Sequence, residues 1–396
     1  MNAQAQVHGP HTWFREADCS VDDFAKLIET SRERQPKPRL AADVAQAIPL
    51  YDCDALRPLL LDDARRPALL AEWASVLLDG AGVFVLQRAY SDTACIDDAT
   101  AIFESIIRSE RKSGGGADHF AKAGANDRIW NAQEKLCLVA PEVFVRYFAN
   151  PVLMAAAEAW LGPGYQMTSQ VNVVRPGGEA QQAHRDFHLG FLTVDEAQRF
   201  PAHVHTMSPM LTLQGAVAHT DMPVESGPTK LLPYSQRYHQ GYVAWRRADF
   251  RAYFESHHAQ LPLQKGDALF FNPALFHAAG SNRTHDVQRM ANLLQVSSAY
   301  GRAMESLDRT RMCNAVFPVL RSMRAQHRLD ANEAQAVIAS CAEGYAFPTN
   351  LDRNPPVGGL APASQQQILA KALDEQWRDD QLAAALRDLE LRNATH

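Results

Sequence analysis

The sequence predicts an α+β protein, a jelly-roll sandwich of short strands with helices before and after it. Three observations carry that prediction. Between Tyr165 and about Tyr300, short apolar segments alternate with Gly, Pro and Asn turns, the punctuation of an all-β sandwich or barrel. On either side of that region the period changes: apolar residues recur at helical spacing from Leu56, and segments rich in Ala, Leu, Gln and Arg follow residue 300. A chain of 396 residues is larger than an average single core, yet suits one elaborated catalytic domain.

Residues 1–50 show no sustained period and carry the polar stretch ERQPKPRL, so they read as an amino-terminal arm. From Leu56 to Leu78 a helical pattern places Pro67 in a first turn, and Gly80 and Gly82 close it before a strand, Val83 to Leu86. Ser91 and Asp92 can cap the next helix, whose stripe is Ile96, Ala99, Ile102, Phe103, Ile106 and Ile107. Gly114, Gly115 and Gly116 end it. The polar segment HFAKAGANDRIWNAQEK follows, and a loop over about 114–137 is a candidate lid. In it, Arg128 or Lys135 could meet an anion, while Trp130 or Phe120 could supply an apolar wall. A helix from about Glu142 to Leu161 passes through Pro151 and ends at LGPG.

The strand region, closing a domain over 51–300, then reads QMTSQVNVVRPGG, HVHTM, LTLQGAVAH, SGPTKLLPYS, DALFFNP and MANLLQVSSAY. Residues 301–396 form a helical extension, with helices around Val316–Gln326, Asn332–Ala342 and Gln365–Leu391. Ile368, Leu369, Leu373, Trp377, Leu382 and Leu386 there make an apolar surface for packing or for a homodimer.

Composition narrows the function. Hydrophobic residues at 46% and charged residues at 21% are those of a soluble globular protein, and no apolar run approaches the roughly 20 residues needed to cross a bilayer. The amino terminus has neither a basic segment nor an apolar one, which points to the cytoplasm. Six cysteines lie far apart without a CxxC pair, so they read as free thiols rather than zinc ligands. A net charge of -6 with both signs mixed argues against a nucleic-acid surface. The partner left by these exclusions is a small molecule.

Chemistry concentrates in QQAHRDFHLGF and FFNPALFHAAGSN. His184 and Asp186 stand two apart, so on an extended backbone they share a face and can bind one ion together. His277 supplies a third ligand. Two histidines and one carboxylate leave three positions of an octahedron open, which is what iron(II) needs to take a bidentate keto acid and dioxygen together. A second pair, His219 and Asp221, has the same spacing, but VESGPTKLLPYS follows at once and places it at a strand end leading into a loop. His188 has the parity to compete with the first pair. Twelve residues beyond His277, Arg289 opens the segment RMANLLQ; an antiparallel return would bring its guanidinium back beside the metal. A planar fork there suits the distal carboxylate of 2-oxoglutarate. Arg283 is the competing cation, placed by SNRTHD in a turn. A zinc protein or a non-catalytic binding protein could use the same three ligands, but neither would need Arg289.

These residues together resemble the phytanoyl-CoA dioxygenase superfamily of iron(II)/2-oxoglutarate oxygenases: HxD, then SGP…LPYS, then FxxHxxGxN followed by Arg, over about Gly82 to Tyr300. The resemblance implies a double-stranded β-helix (jelly-roll, cupin-like) core with flanking helices. It also implies hydroxylation, or another oxidation such as desaturation, cyclisation or epoxidation, of a small metabolite, coupled to conversion of 2-oxoglutarate and O2 to succinate and CO2. SQVNVVRPGG is similar to the family strand whose polar side chains line the co-substrate pocket, which matches Gln170 and Asn172; Thr168 shares their parity. Phe187 and His188, with Arg128 and Trp130, are the substrate-facing candidates. Ala183 stands where the family usually has an aromatic residue, and LPYSQ where it has PGSH.

Overall fold

The computed structural model describes residues 12–34, 36–112 and 126–395. By contact the chain forms two compact units: one comprises Met1–Ala89, Asp118–Asp127 and Val173–Ala291, the other Tyr90–Ala117, Arg128–Asn172 and Asn292–His396, as far as those stretches are described. The second unit therefore gathers the carboxy-terminal helices together with chain from the middle of the sequence, rather than beginning at residue 301 as expected. The described strands are β1 (Asp43–Ala45), β2 (Ile48–Asp52), β3 (Val83–Gln87), β4 (Asn126–Ile129), β5 (Gln166–Val174), β6 (Thr212–Ala218), β7 (Lys230–Leu231), β8 (Ala268–Phe271), β9 (His277–Ala278) and β10 (Arg289–Ser297).

In the first unit the larger sheet runs β1-β2-β3-β8-β6. β2 lies parallel to β3 with Leu50 opposite Val85, while β8 is antiparallel to both neighbours, Phe271 facing Val83 on one side and Gln214 on the other. The start of β10 joins beyond β6 through the His219 amide, which donates to the Met290 carbonyl at 2.9 Å. A smaller sheet pairs β7 with β9, Leu231 opposite His277, and gains a bridge from His184 to His277. Val83, Val85, Leu269 and Phe271 of the large sheet pack with Leu231, Ala259, Leu261, Leu263 and Leu275 as one buried cluster. Two facing sheets with alternating inward residues make the double-stranded β-helix that the strand pattern predicted.

Three expectations change here. The arm over 1–50 is, in its described part, a helix (Val21–Arg34) followed by β1 and β2. Phe24 and Ile28 recur at helical spacing and are buried among Tyr238, Phe250 and Phe276, so a two-residue apolar stripe suffices where the partner surface is aromatic. HVHTM, expected as a strand, lies in a short helix, Ala202–Met207. The single helix expected over 56–78 is two, Cys53–Leu60 and Arg66–Leu78, with Pro67 in the first turn of the second as its fixed φ favours.

In the second unit β5 lies beside β10, and Thr168 Oγ1 donates to the Gln295 carbonyl at 3.2 Å. The helix expected over 142–161 is broken at Asn150, whose side chain caps the Val152 and Leu153 amides, with Pro151 opening the second helix. Leu369, Leu382 and Leu386 are buried; their helices, Gln365–Asp374 and Asp379–Asn393, pack on helix Arg309–Ala325. Those three residues are thus covered from within the unit, while Ile368, Leu373 and Trp377 are half-buried. Of the expected lid, residues 113–125 lie outside the described residues. The remainder is strand β4, a turn, and helix Ala132–Val139 rather than loop.

Candidate metal and co-substrate site

His277 sits in β9 between two extended neighbours, Leu231 on one side and His184 on the other. The His184 amide donates to the His277 carbonyl at 3.0 Å and the His277 amide returns a bond to the His184 carbonyl at 3.2 Å. Such a reciprocal pair sets two side chains directly opposite on one face, and the imidazole centroids stand 4.4 Å apart. Two residues on, the Asp186 amide bonds the Pro273 carbonyl at 3.2 Å, and its side chain returns to the same face. One ligand atom each from His184, Asp186 and His277 then lie within 4.8 Å of one another, and among the described residues no other group of three such side chains does so.

The surrounding bonds select the states that a cation needs. His184 Nδ1 lies 2.8 Å from the Gln182 carbonyl and His277 Nδ1 2.9 Å from the Leu275 carbonyl. A carbonyl oxygen can only accept, so both Nδ1 atoms carry the proton and both Nε2 lone pairs are free for a metal. Asp186 Oδ1 is 3.7 Å from His184 Nε2 and Oδ2 is 3.4 Å from His277 Nε2. Gln214 Nε2, reaching from β6, donates to Asp186 Oδ2 at 2.6 Å. Burial acts to raise the Asp186 pKa, but the two histidines and Gln214 outweigh it and hold the carboxyl well below the usual carboxylate range. Burial pulls the His184 pKa down, keeping the ring neutral. An N, N, carboxylate set on one face is the donor chemistry of a facial iron(II) site.

Arg289 is the first residue of β10 and only 7% exposed. Its Nη1 donates to the Gly280 carbonyl at 3.4 Å, and among the described residues no carboxylate approaches it; burial alone brings its pKa down to about 10. The strand return predicted from spacing thus does carry the guanidinium to the loop that follows His277. Arg283, the rival, is exposed in the turn. The other rivals also fall away. His219 is buried on the large sheet and Asp221 is exposed, accepting from the Lys265 amide at 2.9 Å. His188 is exposed and bonds Ser208 Oγ at 3.0 Å, because Phe187 and His188 both adopt positive φ (60° and 36°) and turn the chain off the strand direction immediately after Asp186.

In the second unit Thr168, Gln170 and Asn172 alternate along β5 as expected. Gln170 Oε1 accepts from Arg128 Nη1 at 2.9 Å, and Arg128 lies over the Trp130 ring. Arg128 is therefore a buried strand residue rather than part of a lid loop.

Several residues escaped the sequence reading. Gln214 was visible only as a polar residue in an otherwise apolar strand. Arg185, between the two ligands of HxD, points away from them: its guanidinium is buried between Tyr242 and Phe276 and donates to the Ser235 and Tyr238 carbonyls at 2.6 and 2.9 Å. A Cβ at Gly241 would fall on that guanidinium. Tyr242 Oη in turn donates to the Asp186 carbonyl at 3.2 Å. The LPYS segment and the helix after it thereby clamp the backbone that carries the metal ligands.

A double-stranded β-helix with a two-histidine, one-carboxylate face suits a metal-dependent oxygenase. The family described as Phytanoyl-CoA dioxygenase (PhyH) matches residues 78–291, more than half of the chain, and the chain belongs to that family. It is an iron(II)- and 2-oxoglutarate-dependent oxygenase. Among relatives, it is 27% identical over 231 residues to Dioxygenase trt7 of Aspergillus terreus, covering 56% of this chain and 72% of that one. It is also 27% identical over 144 residues to Dioxygenase andF of Emericella variicolor, covering 35% of this chain and 45% of that one. Similar solved structures include the alpha-ketoglutarate-dependent epimerase SnoN from nogalamycin biosynthesis, at 19% identity and TM-score 0.40 over 59% of this chain and 84% of that one. Another is HygX from Streptomyces hygroscopicus, crystallised with nickel, 2-oxoglutarate and hygromycin B, at 14% identity and TM-score 0.45 over 59% of this chain and 90% of that one.

Proposed function

We propose that the chain hydroxylates a small organic metabolite, with iron(II) on His184, Asp186 and His277 and the distal carboxylate of 2-oxoglutarate on Arg289. The observation that carries the reading is the pairing of a metal-ready triad with a buried guanidinium that no carboxylate meets among the described residues. A desolvated cation is costly unless a charge meets it, and a keto acid chelating the metal would carry such a charge on its far end. Bound iron(II) supplies the chemistry that couples decarboxylation of 2-oxoglutarate, giving succinate and CO2, to insertion of one oxygen atom into a C–H bond. The chain's own residues hold the ligands in place: the Gln182 and Leu275 carbonyls fix the tautomers, and Gln214 holds Asp186 as an anion.

Gln170 and Asn172 enter the proposal through the resemblance of their strand to the family's co-substrate strand, and Phe187 through its place after the metal pair. His188 and Arg128 do not, since their polar groups are engaged by Ser208 and Gln170. The test is anaerobic titration of the iron(II) protein with 2-oxoglutarate, reading its metal-to-ligand charge-transfer absorption, and then a metabolite screen for stimulated succinate release. Products that gain one oxygen support hydroxylation. Products that lose two hydrogens instead would replace it with desaturation, and absence of the absorption would remove the co-substrate assignment.

A further inference from the structure

Around one indole in the first unit, buried donors outnumber acceptors. Trp245 closes the short helix Gly241–Ala244, and its ring stands edge-on to the metal ligand His184, centroids 6.5 Å apart. The Arg246 guanidinium lies over that ring with Cζ 3.8 Å from the centroid, and Arg251, from helix Ala248–His257, lies 5.6 Å from it. Arg246 Nη2 is held by the Leu192 and Gly190 carbonyls at 2.8 and 3.4 Å. Its Nη1 and the indole Nε1 are both buried and have no acceptor among the described residues. No carboxylate forms an ion pair with Arg246 or Arg251 there; Asp249, the acid between them in sequence, is taken by both arms of Arg247. The indole that Arg246 covers is the one that stands against His184, which sets the Arg246 charge beside the candidate metal face.

Buried donors nearly always find acceptors in folded proteins, and two beside an unneutralised cation describe a place for an oxyanion. Resting on the iron and 2-oxoglutarate reading above, we propose that Trp245 Nε1 and Arg246 Nη1 receive the carboxylate of the primary substrate, an apolar acid whose body lies toward the metal. The indole N–H and the Nη1 N–H groups supply a donor for each oxygen of one carboxylate. Phe191, 57% exposed, sits between the two residues whose carbonyls hold Arg246 and offers the apolar surface beside that head group. Arg289 has different partners: it bonds the Gly280 carbonyl, whereas Arg246 is held by the Leu192 and Gly190 carbonyls.

The test uses protein loaded anaerobically with iron(II) and saturating 2-oxoglutarate, which keeps Arg289 occupied, and titrates decanoate, decan-1-ol and decyl phosphate by calorimetry. Decanoate should bind about tenfold or more tightly than decanol. Arg246→Gln and Trp245→Phe should each erase most of that preference, Arg246→Lys should recover part of it, and the charge-transfer absorption of 2-oxoglutarate should persist in all three. Should Arg246→Gln fail to fold by circular dichroism, Trp245→Phe decides, because it keeps the ring and removes only the N–H. A wild type with normal absorption that treats decanoate and decanol alike, or variants that keep the preference, would overturn the proposal alone. Tighter binding of decyl phosphate than decanoate overturns the carboxylate in favour of a phosphate. A wild type without the absorption fails the underlying reading instead.

Discussion

Replacing Arg289 with alanine separates the cost of a buried cation from its use. Burial brings this guanidinium from its ordinary value down to about 10, and at about 1.4 kcal/mol per tenfold change in proton affinity that corresponds to roughly 3 kcal/mol of lost hydration. Its single bond to Gly280, at 3.4 Å, is too long to offset much of that. The ligand-free protein should therefore lose little or no stability in Arg289→Ala. The 2-oxoglutarate complex should lose much more, since truncating one member of a desolvated ion pair typically costs ~3 kcal/mol or more, about a hundredfold in the apparent requirement. Arg289→Lys should recover part of the loss, keeping the charge without the fork. The assays are succinate formation against 2-oxoglutarate concentration and the melting temperature with and without 2-oxoglutarate, for wild type, Arg289→Ala and Arg283→Ala in parallel. An Arg289→Ala protein with normal co-substrate dependence beside a crippled Arg283→Ala would refute the assignment and move the site to the exposed turn.

Asp186→Ala removes the only anion of the triad and should abolish coupled turnover even after iron is restored; near-normal product formation would exclude Asp186 as a ligand. His219→Ala should leave one iron per chain by metal analysis, whereas His184→Ala should not, and the reverse pattern would favour the 219/221 pair. Gln214→Leu withdraws the hydrogen bond to Asp186 Oδ2 and should weaken iron binding about 10- to 100-fold in a chelator competition, with the fold intact by circular dichroism.

The convergence of His184, Asp186 and His277 was legible in the sequence because their spacing has a direct geometric meaning: residues two apart on an extended chain share a face, and a second histidine one strand away joins it. Arg289 was legible for the same reason, a counted strand return. What the sequence left open arose from long-range contact. Residues 21–34 carry a helix whose stripe is too thin to stand out locally, and it becomes stable only where Phe24 meets Phe250 and Phe276. HVHTM alternates like a strand, yet lies in the excursion between the metal pair and β6 and forms a helix there. Gln214 and Tyr242 lie 28 and 56 positions from Asp186, which they bond, and Arg185 lies 50 and 53 positions from its partners Ser235 and Tyr238, so no local pattern links them.

The same geometry explains why HRD at 184–186 gathers a candidate metal set while HTD at 219–221 does not among the described residues, although the two share a spacing. Spacing gives a common face; a metal site also needs a third ligand directly across and second contacts that fix each donor. At 184–186 the third ligand is the cross-strand neighbour His277, bonded to His184 in both directions, and Gln214 completes the carboxylate. At 219–221 the backbone leaves the sheet: the Asp221 side chain accepts the Lys265 amide, a bond that shapes a turn and leaves the carboxylate exposed. Arg185 supplies the remaining difference. Its buried guanidinium ties the middle of HRD to the Ser235 and Tyr238 carbonyls, so the two flanking side chains are held on the opposite face, toward His277.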